Sequence, residues 1–135
     1  MGADHRLYVG TLAFGPNLAF KSTPSKVYRF DPDASAALQF LTESDVWASG
    51  FFPITGCGFG ADGFYVTEFW TSLTSPGGGD VVRVAVNADG TAGARTHFGA
   101  GMLKLPNGFA AGPDGAVYVS NESTSRQGSV VRVRP

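Results

Sequence analysis

The chain is poor in charge, cysteine and histidine, and each shortage narrows its possible functions. Charged residues make up 16% of the 135 residues and the formal net charge is −1, so electrostatics favours neither nucleic acid nor an anionic membrane surface. The single cysteine, Cys57, excludes an internal disulfide. Its glycine-rich, apolar surroundings predict a buried, unreactive thiol. The two histidines, His5 and His97, are not spaced as a metal-binding pair, and His97 is expected on the surface of an outer strand.

Long apolar runs and catalytic sequence motifs are also missing. No run is long enough to cross a bilayer, so we expect no membrane span. No signal peptide precedes the first predicted strand. The sequence has no nucleophile-elbow, zinc-protease or Cys-x-x-Cys motif, and its Gly-rich segment at 76–79 lacks the features of a phosphate loop.

What the chain does contain is a threefold repeat of short strands. Tyr65 follows Tyr8 by 57 residues and Tyr118 follows Tyr65 by 53. A turn-rich stretch separates each Tyr-Val strand from a second strand that carries an arginine. A period of about 50 residues made of short strands is typical of β-propeller blades. The Tyr-Val strands are centred on Tyr8, Tyr65 and Tyr118, and the Val-Arg strands on Arg29, Arg83 and Arg132.

The second repeat predicts four antiparallel strands. A glycine-rich strand at 56–60 leads into the tight turn Ala61-Asp62-Gly63, because Asp-Gly between apolar strands favours a hairpin. The Tyr-Val and Val-Arg strands follow, and an outer strand is expected near 94–98. The third repeat offers the same order, with a first strand at 108–112 and the turn at 113–115.

The first and third repeats are each short of one strand. Gly2-Ala3-Asp4 aligns with Gly60-Ala61-Asp62, so the first repeat begins inside its first turn. Its outer strand is predicted at 36–42, with a short helix within 34–47, capped by Asp33, as the alternative. The prediction is an all-β chain with one domain, 1–135, containing a β-propeller fragment of about two and a half four-stranded antiparallel blades. The repeats span approximately 1–53, 54–105 and 106–135.

Incomplete blades at both ends imply a partner. Their strand edges and apolar faces lack an internal neighbour, and such edges pair with other chains. We therefore expect the chain to associate either with further propeller blades or with itself.

Five polar or aromatic residues are candidates for a binding site. Glu68, Asn121 and Glu122 follow the Tyr-Val strands and could line a polar mouth, or could be solvated loop residues. Trp70, next to Phe69, could stack on a ligand or pack between blades. Asn107 could offer an oxygen to a hard cation, or could serve only the architecture of its blade.

The sequence resembles the ScyD/ScyE family of β-propeller proteins over nearly its whole length. The segments that carry the resemblance are 7–12, 26–32, 105–108, 112–115, 117–121 and 128–133. The resemblance implies a propeller without defined catalytic residues or cofactor, so we expect a non-catalytic binding or scaffold module. Members of this family are usually exported, which implies an extracellular or periplasmic location.

A weaker resemblance links the chain to the gluconolactonase/regucalcin-like propellers. Its carriers are Pro106-Asn107-Gly108 and Pro113-Asp114-Gly115. In that family the asparagine of such a motif binds a divalent metal, and the matching residue here is Asn107. The resemblance implies a metal-dependent lactonase or hydrolase with a divalent cation such as calcium as the alternative function.

Overall fold

The computed structural model describes residues 1–13, 24–34, 40–71, 78–122 and 127–134. The all-β prediction is confirmed: these residues form ten strands in three antiparallel sheets, and no α-helix occurs in the described ranges. The first sheet contains β1 (Leu7–Gly10), β2 (Ser25–Phe30) and β3 (Val46–Phe51). The second contains β4 (Ile54–Phe59), β5 (Phe64–Glu68), β6 (Gly79–Val86) and β7 (Ala92–Leu103). The third contains β8 (Phe109–Ala111), β9 (Val117–Asn121) and β10 (Ser129–Val133).

The predicted pairing of each Tyr-Val strand with its Val-Arg strand is confirmed in all three sheets. Tyr8 lies opposite Arg29, Tyr65 opposite Arg83 and Tyr118 opposite Arg132. The same register therefore occurs three times. In each sheet the tyrosine, the arginine and the valine two residues before that arginine share one face, because side chains alternate along a strand.

The outer strand of the first sheet is not where the repeat register predicted it. The prediction placed it at 36–42, but the strand is β3, and Tyr28 pairs with Val46. Residues 35–39 of the predicted segment lie outside the described part of the chain. Of the alternative helix within 34–47, the described residues contain a single 3-10 turn at Glu43–Asp45 and no α-helix. There the Asp45 carboxylate accepts a hydrogen bond of 2.7 Å from the Thr42 N–H.

Turns containing Asp-Gly join the first two strands of the second and third sheets, as predicted. In the third sheet Gly115 has φ of +75°, which favours glycine. At Gly63 glycine is favoured for a different reason. A Cβ atom at this position would lie 2.9 Å from the carbonyl oxygen of Val84, which is too close. The glycine preference is therefore conformational at one turn and steric at the other.

Two apolar clusters join the three sheets. The first lies between the first and second sheets and includes Val27, Ala48, Phe64 and Val66. The second lies between the second and third sheets and includes Tyr65, Val81, Val117 and Val119. The second sheet is consequently covered on both faces, and all five residues of β5 are buried. Cys57 is half-buried against the first cluster, and burial raises the pKa of its thiol.

Candidate functional site

Glu68, a predicted site residue, is buried and holds the backbone that leads into its own sheet. It ends β5, and its side-chain Oε1 accepts a hydrogen bond of 3.0 Å from the Phe52 N–H. The adjacent Phe69 N–H donates to the carbonyl of Pro53 at 2.8 Å. These two bonds fasten the segment before β4 to the end of β5. The expectation of a solvated loop position is wrong for Glu68.

Asn121 makes the same attachment in the third sheet. It is the last residue of β9, and its Oδ1 accepts a hydrogen bond of 2.6 Å from the Lys104 N–H. The Glu122 N–H donates to the Lys104 carbonyl at 2.7 Å. Asn121 is buried as Glu68 is. The structure thus gives these two predicted site residues one repeated role, which is to accept from the backbone of the segment entering their sheet.

The remaining predicted residues lie in different settings. Glu122 is half-buried and has φ of 60°. Trp70 is half-buried, and its ring centroid lies 5.0 Å from that of Phe69. Asn107 is exposed, and its N–H donates to the Ser120 carbonyl at 2.9 Å. Within the described part of the chain, the one group of three His, Cys, Asp or Glu side chains close enough to share a metal is elsewhere, at Glu68, Asp80 and His97.

An aspartate in each repeat binds the tyrosine and contacts the arginine, and this grouping was not predicted from the sequence. Tyr65 donates its hydroxyl to Asp62 Oδ1 at 2.6 Å, and Arg83 forms an ion pair with the same carboxylate. Tyr118 and Arg132 both bind Asp114 in the third sheet. Asp4 accepts from Tyr8 at 2.9 Å in the first, and its carboxylate lies 3.9 Å from the Arg29 guanidinium. The signal in the sequence was an aspartate three or four residues before each repeated tyrosine.

These contacts stabilise the ionised aspartates. The hydrogen bond from Arg132 is the largest cause that lowers the pKa of Asp114, to about 2. The hydrogen bond from Tyr65 does most to lower the pKa of Asp62. For Asp4, burial raises the pKa, but hydrogen bonds from the Arg6 N–H and the Tyr8 hydroxyl outweigh it and the net shift is downward.

A cleft of about 810 Å³ opens among the turns at one end of the first and second sheets. The carbonyl of Gly90 accepts hydrogen bonds there from Arg29 Nη1 at 2.8 Å and from Trp47 Nε1 at 2.9 Å. Both signs of charge line the cleft, with three carboxylates and two guanidinium groups. Its charged residues are Asp4, Arg6, Arg29, Asp62 and Asp89.

The tyrosine face of a sheet is the face that carries its repeated tyrosine and arginine. Three valines hold the same position on this face, two residues before the arginine. Val27 and Val81 are 0% exposed because each is covered by the following sheet, whereas Val130 of the third sheet is 70% exposed. Among the described residues, Val130 on the tyrosine face of the third sheet therefore lacks the cover that Val27 and Val81 have, and it shares this face with the exposed polar residues Ser120 and Arg132.

The valine face is the opposite face, and it shows the complementary pattern. The valine after each repeated tyrosine lies on it. Val66 and Val119 are 0% exposed, since each packs against the preceding sheet, but Val9 of the first sheet is 44% exposed. The third sheet thus exposes the valine of its tyrosine face, and the first sheet exposes the valine of its valine face. Faces of these two kinds pack against each other twice within the chain.

Glu68, Asp80 and His97 form a polar cluster on the valine face of the second sheet. Glu68 and Asp80 lie opposite each other in β5 and β6, and His97 lies in β7 opposite Val82. Nδ1 of His97 is 2.8 Å from Asp80 Oδ2. Burial raises the pKa of Glu68, and Asp80 also raises it, while the Phe52 N–H, His97 and Arg95 oppose these effects. The prediction that His97 is a surface residue of an outer strand is confirmed.

Comparison with known proteins identifies no relative. No protein-family model, curated protein or solved structure matches the chain. In the described residues, no helix has both the length and the apolar character needed to span a membrane.

Proposed function

We propose that the chain is a non-catalytic binding and scaffold module of the β-propeller type, as its resemblance to the ScyD/ScyE family implies. In this proposal the three sheets are successive blades, and the end faces bind further blades of the same repeat. The observation that carries the proposal is the contrast between Val81, which is fully buried, and Val130, which occupies the same position and is 70% exposed.

The internal contacts indicate what kind of surface fits each end. A tyrosine face packs against a valine face twice, once in each apolar cluster. Among the described residues, Val130 is exposed on the tyrosine face of the third sheet and Val9 on the valine face of the first. A blade of the same repeat presents both types of face and can therefore continue the stack in either direction. The Tyr-Arg register common to all three sheets supports the view that the faces are interchangeable.

The driving force for this association is apolar burial. Full burial of one valine side chain contributes roughly 1.5–3 kcal/mol, and Val130 is accompanied by part of Tyr118 on the same face. Arg132 and Asp114 lie beside them as Arg83 and Asp62 do in the second sheet. We therefore expect apolar contacts to supply most of the affinity and the charged groups to fix orientation.

The partner for the isolated chain is a second copy, joined head to tail. Such heterologous contacts form a ring if the rotation closes and a filament if it does not, and propeller blades close into rings. With a net charge of −1, nucleic acid is not a proposed partner. The proposed location is extracellular or periplasmic, from the resemblance alone. Ligand binding at Trp70, Asn107 or Glu122 stays a prediction.

Sedimentation velocity over a range of protein concentrations tests the proposal. The wild-type chain is expected to have a mass that is a multiple of the monomer and to dissociate on dilution. Val130→Asp and Val9→Asp place a charge on the two proposed faces and are each expected to yield the monomer at concentrations where the wild type associates.

Val86→Asp is the matched control, because Val86 is also a partly exposed strand valine but lines the cleft between turns instead of an end face. It should associate as the wild type does. A wild-type monomer at every concentration, or equal loss of association in Val86→Asp, would overturn the proposed head-to-tail contact.

A further inference from the structure

We propose that Glu68, Asp80 and His97 form a binding site for a divalent transition-metal ion, with zinc as the best match. This site is separate from the end faces on which the proposed function depends. One ligand atom from each of the three side chains lies within 4.8 Å of the other two. Zinc accepts imidazole nitrogen and carboxylate oxygen together, which is the donor set that these three residues offer.

Strand register brings the three side chains together. Glu68 of β5 and Asp80 of β6 are direct cross-strand partners, so their side chains share a face. His97 pairs with Val82, two residues after Asp80, and its side chain points to that same face. The ligands therefore come from three adjacent strands of one sheet, which fixes their separation through backbone hydrogen bonds.

Burial of two neighbouring carboxylates is the second observation that points to a cation. Glu68 and Asp80 are each 3% exposed. Of the described residues, only Phe52 donates a hydrogen bond to the Glu68 carboxylate, at Oε1. Asp80 Oδ1 accepts from the Val81 N–H at 2.8 Å, and Oδ2 faces His97. Buried carboxylates require a compensating charge or a proton, and a divalent cation supplies that charge.

Arg95 does not provide this compensation by direct contact. Its Nη2 donates to the Ser49 carbonyl at 2.5 Å, and its guanidinium carbon lies 4.0 Å from the centroid of the Phe51 ring. The group is thus held over the first sheet by a backbone acceptor and an aromatic face. Arg95 acts on Glu68 only at longer range, where it opposes the rise in the Glu68 pKa.

The cluster is accessible from solvent through His97, whose side chain is 60% exposed. Zinc bonds to nitrogen and oxygen of about 2.0–2.2 Å imply ligand atoms roughly 3.3–3.5 Å apart in a tetrahedron. The 2.8 Å separation of His97 Nδ1 and Asp80 Oδ2 would have to widen by about half an ångström for such a site. A rotation of the exposed imidazole permits this change. Three protein ligands leave the fourth position to water.

Isothermal titration of the full chain, first freed of metal with a chelator, tests the site with zinc chloride as the probe. One equivalent of zinc is expected to bind per chain, and calcium chloride should bind more weakly because calcium takes oxygen ligands. His97→Ala should weaken zinc binding by at least about tenfold, which is the lower limit for loss of even an outer-shell partner. His5→Ala is the matched control, since His5 is the other histidine of the chain.

Asp80→Asn provides a second ligand variant that retains a side-chain oxygen for the Val81 N–H. Circular dichroism of each variant verifies that the fold is intact, and visible absorption of the cobalt-loaded chain reports the ligand environment independently of affinity. Loss of zinc binding in His97→Ala and Asp80→Asn but not in His5→Ala supports the site. Absence of stoichiometric zinc binding to the wild type, or binding unchanged by both ligand substitutions, would overturn it.

Discussion

Tyr118 and Arg132 face each other across β9 and β10, and both bind the carboxylate of Asp114. The equivalent residues of the second sheet, Tyr65 and Arg83, bind Asp62 in the same way. Each aspartate lies in the turn before its tyrosine strand, so the contact fastens the turn to two strands at once. Because this contact occurs in all three sheets, we expect the three turn aspartates to make the stability of the fold depend on pH.

Acid should destabilise the chain through these aspartates, and Asp114 is the clearest case. Its pKa is lowered to about 2 in the folded chain, chiefly by the hydrogen bond from Arg132, compared with about 3.9 for an unperturbed aspartate. A lowered pKa gives stability that is present above the unfolded value and is lost as the pH falls through the folded value. We expect the free energy of unfolding to fall between about pH 4 and pH 2.

Urea unfolding at a series of pH values measures this effect. Asp114→Asn should have a shallower acid dependence than the wild type, while the contributions of Asp4 and Asp62 remain. Because the Asp114 contact is at the surface, 0.5 M sodium chloride should reduce the difference. Identical acid profiles for the wild type and Asp114→Asn would contradict this account.

The paired roles of Glu68 and Asn121 predict which substitutions the chain tolerates. Asn121→Ala removes the acceptor for the Lys104 N–H in a part-buried hydrogen bond, and loss of one such bond costs about 0.5–1.5 kcal/mol of unfolding free energy. Glu68→Ala should lower the free energy of unfolding by a similar amount, because it removes the acceptor for the Phe52 N–H. Glu68→Gln retains an oxygen acceptor and removes a buried charge, so at pH 7 in metal-free buffer it should be at least as stable as the wild type.

Chemical denaturation of these three variants at pH 7 provides the measurement. The order of stability should be Glu68→Gln above Glu68→Ala, with Asn121→Ala below the wild type. If Glu68→Gln is as unstable as Glu68→Ala, the carboxylate charge matters more than the backbone contact, and the assigned role is wrong.

We expect the chain to lack hydrolytic activity towards sugar lactones. The alternative function requires a metal held at Asn107, yet Asn107 is exposed and is not part of the acidic and histidine cluster. Hydrolysis of a carbonyl also needs a base within reach. A sugar-lactone assay with added calcium or zinc should give no turnover above buffer. Turnover that disappears in Asn107→Ala would favour the lactonase function instead.

The strand pairing was predictable from sequence because it depends on local pattern, whereas the outer strand of the first sheet was not. The Tyr-Val and Val-Arg strands show their alternation directly, and the Asp-Gly turns mark two hairpins. The connection from β2 to β3 covers residues 31–45, but that from β6 to β7 covers only 87–91. Longer connections cost little free energy, so repeat spacing does not fix where the next strand begins.

The candidate sites were harder to predict because their partners are distant in sequence. Phe52 lies 16 residues before Glu68, and Asp80 lies 17 before His97. The first contact depends on how a segment enters the sheet, and the second on the register of β6 with β7. Their position after the Tyr-Val strands suggested that Glu68 and Asn121 lie in a polar mouth or in solvated loops, but both are buried at the strand ends and accept hydrogen bonds from backbone N–H groups.

The burial of β5 on both faces has a consequence for hydrogen exchange. β5 is paired along both edges, with β4 and β6, and its five residues are all buried. Its amides should therefore exchange with deuterium only when the second sheet as a whole opens. The edge strand β1 has a single strand neighbour among the described residues, so its outward amides should exchange through local openings. We therefore expect protection against hydrogen exchange to be lost first in the first and third sheets and last in the second sheet between them.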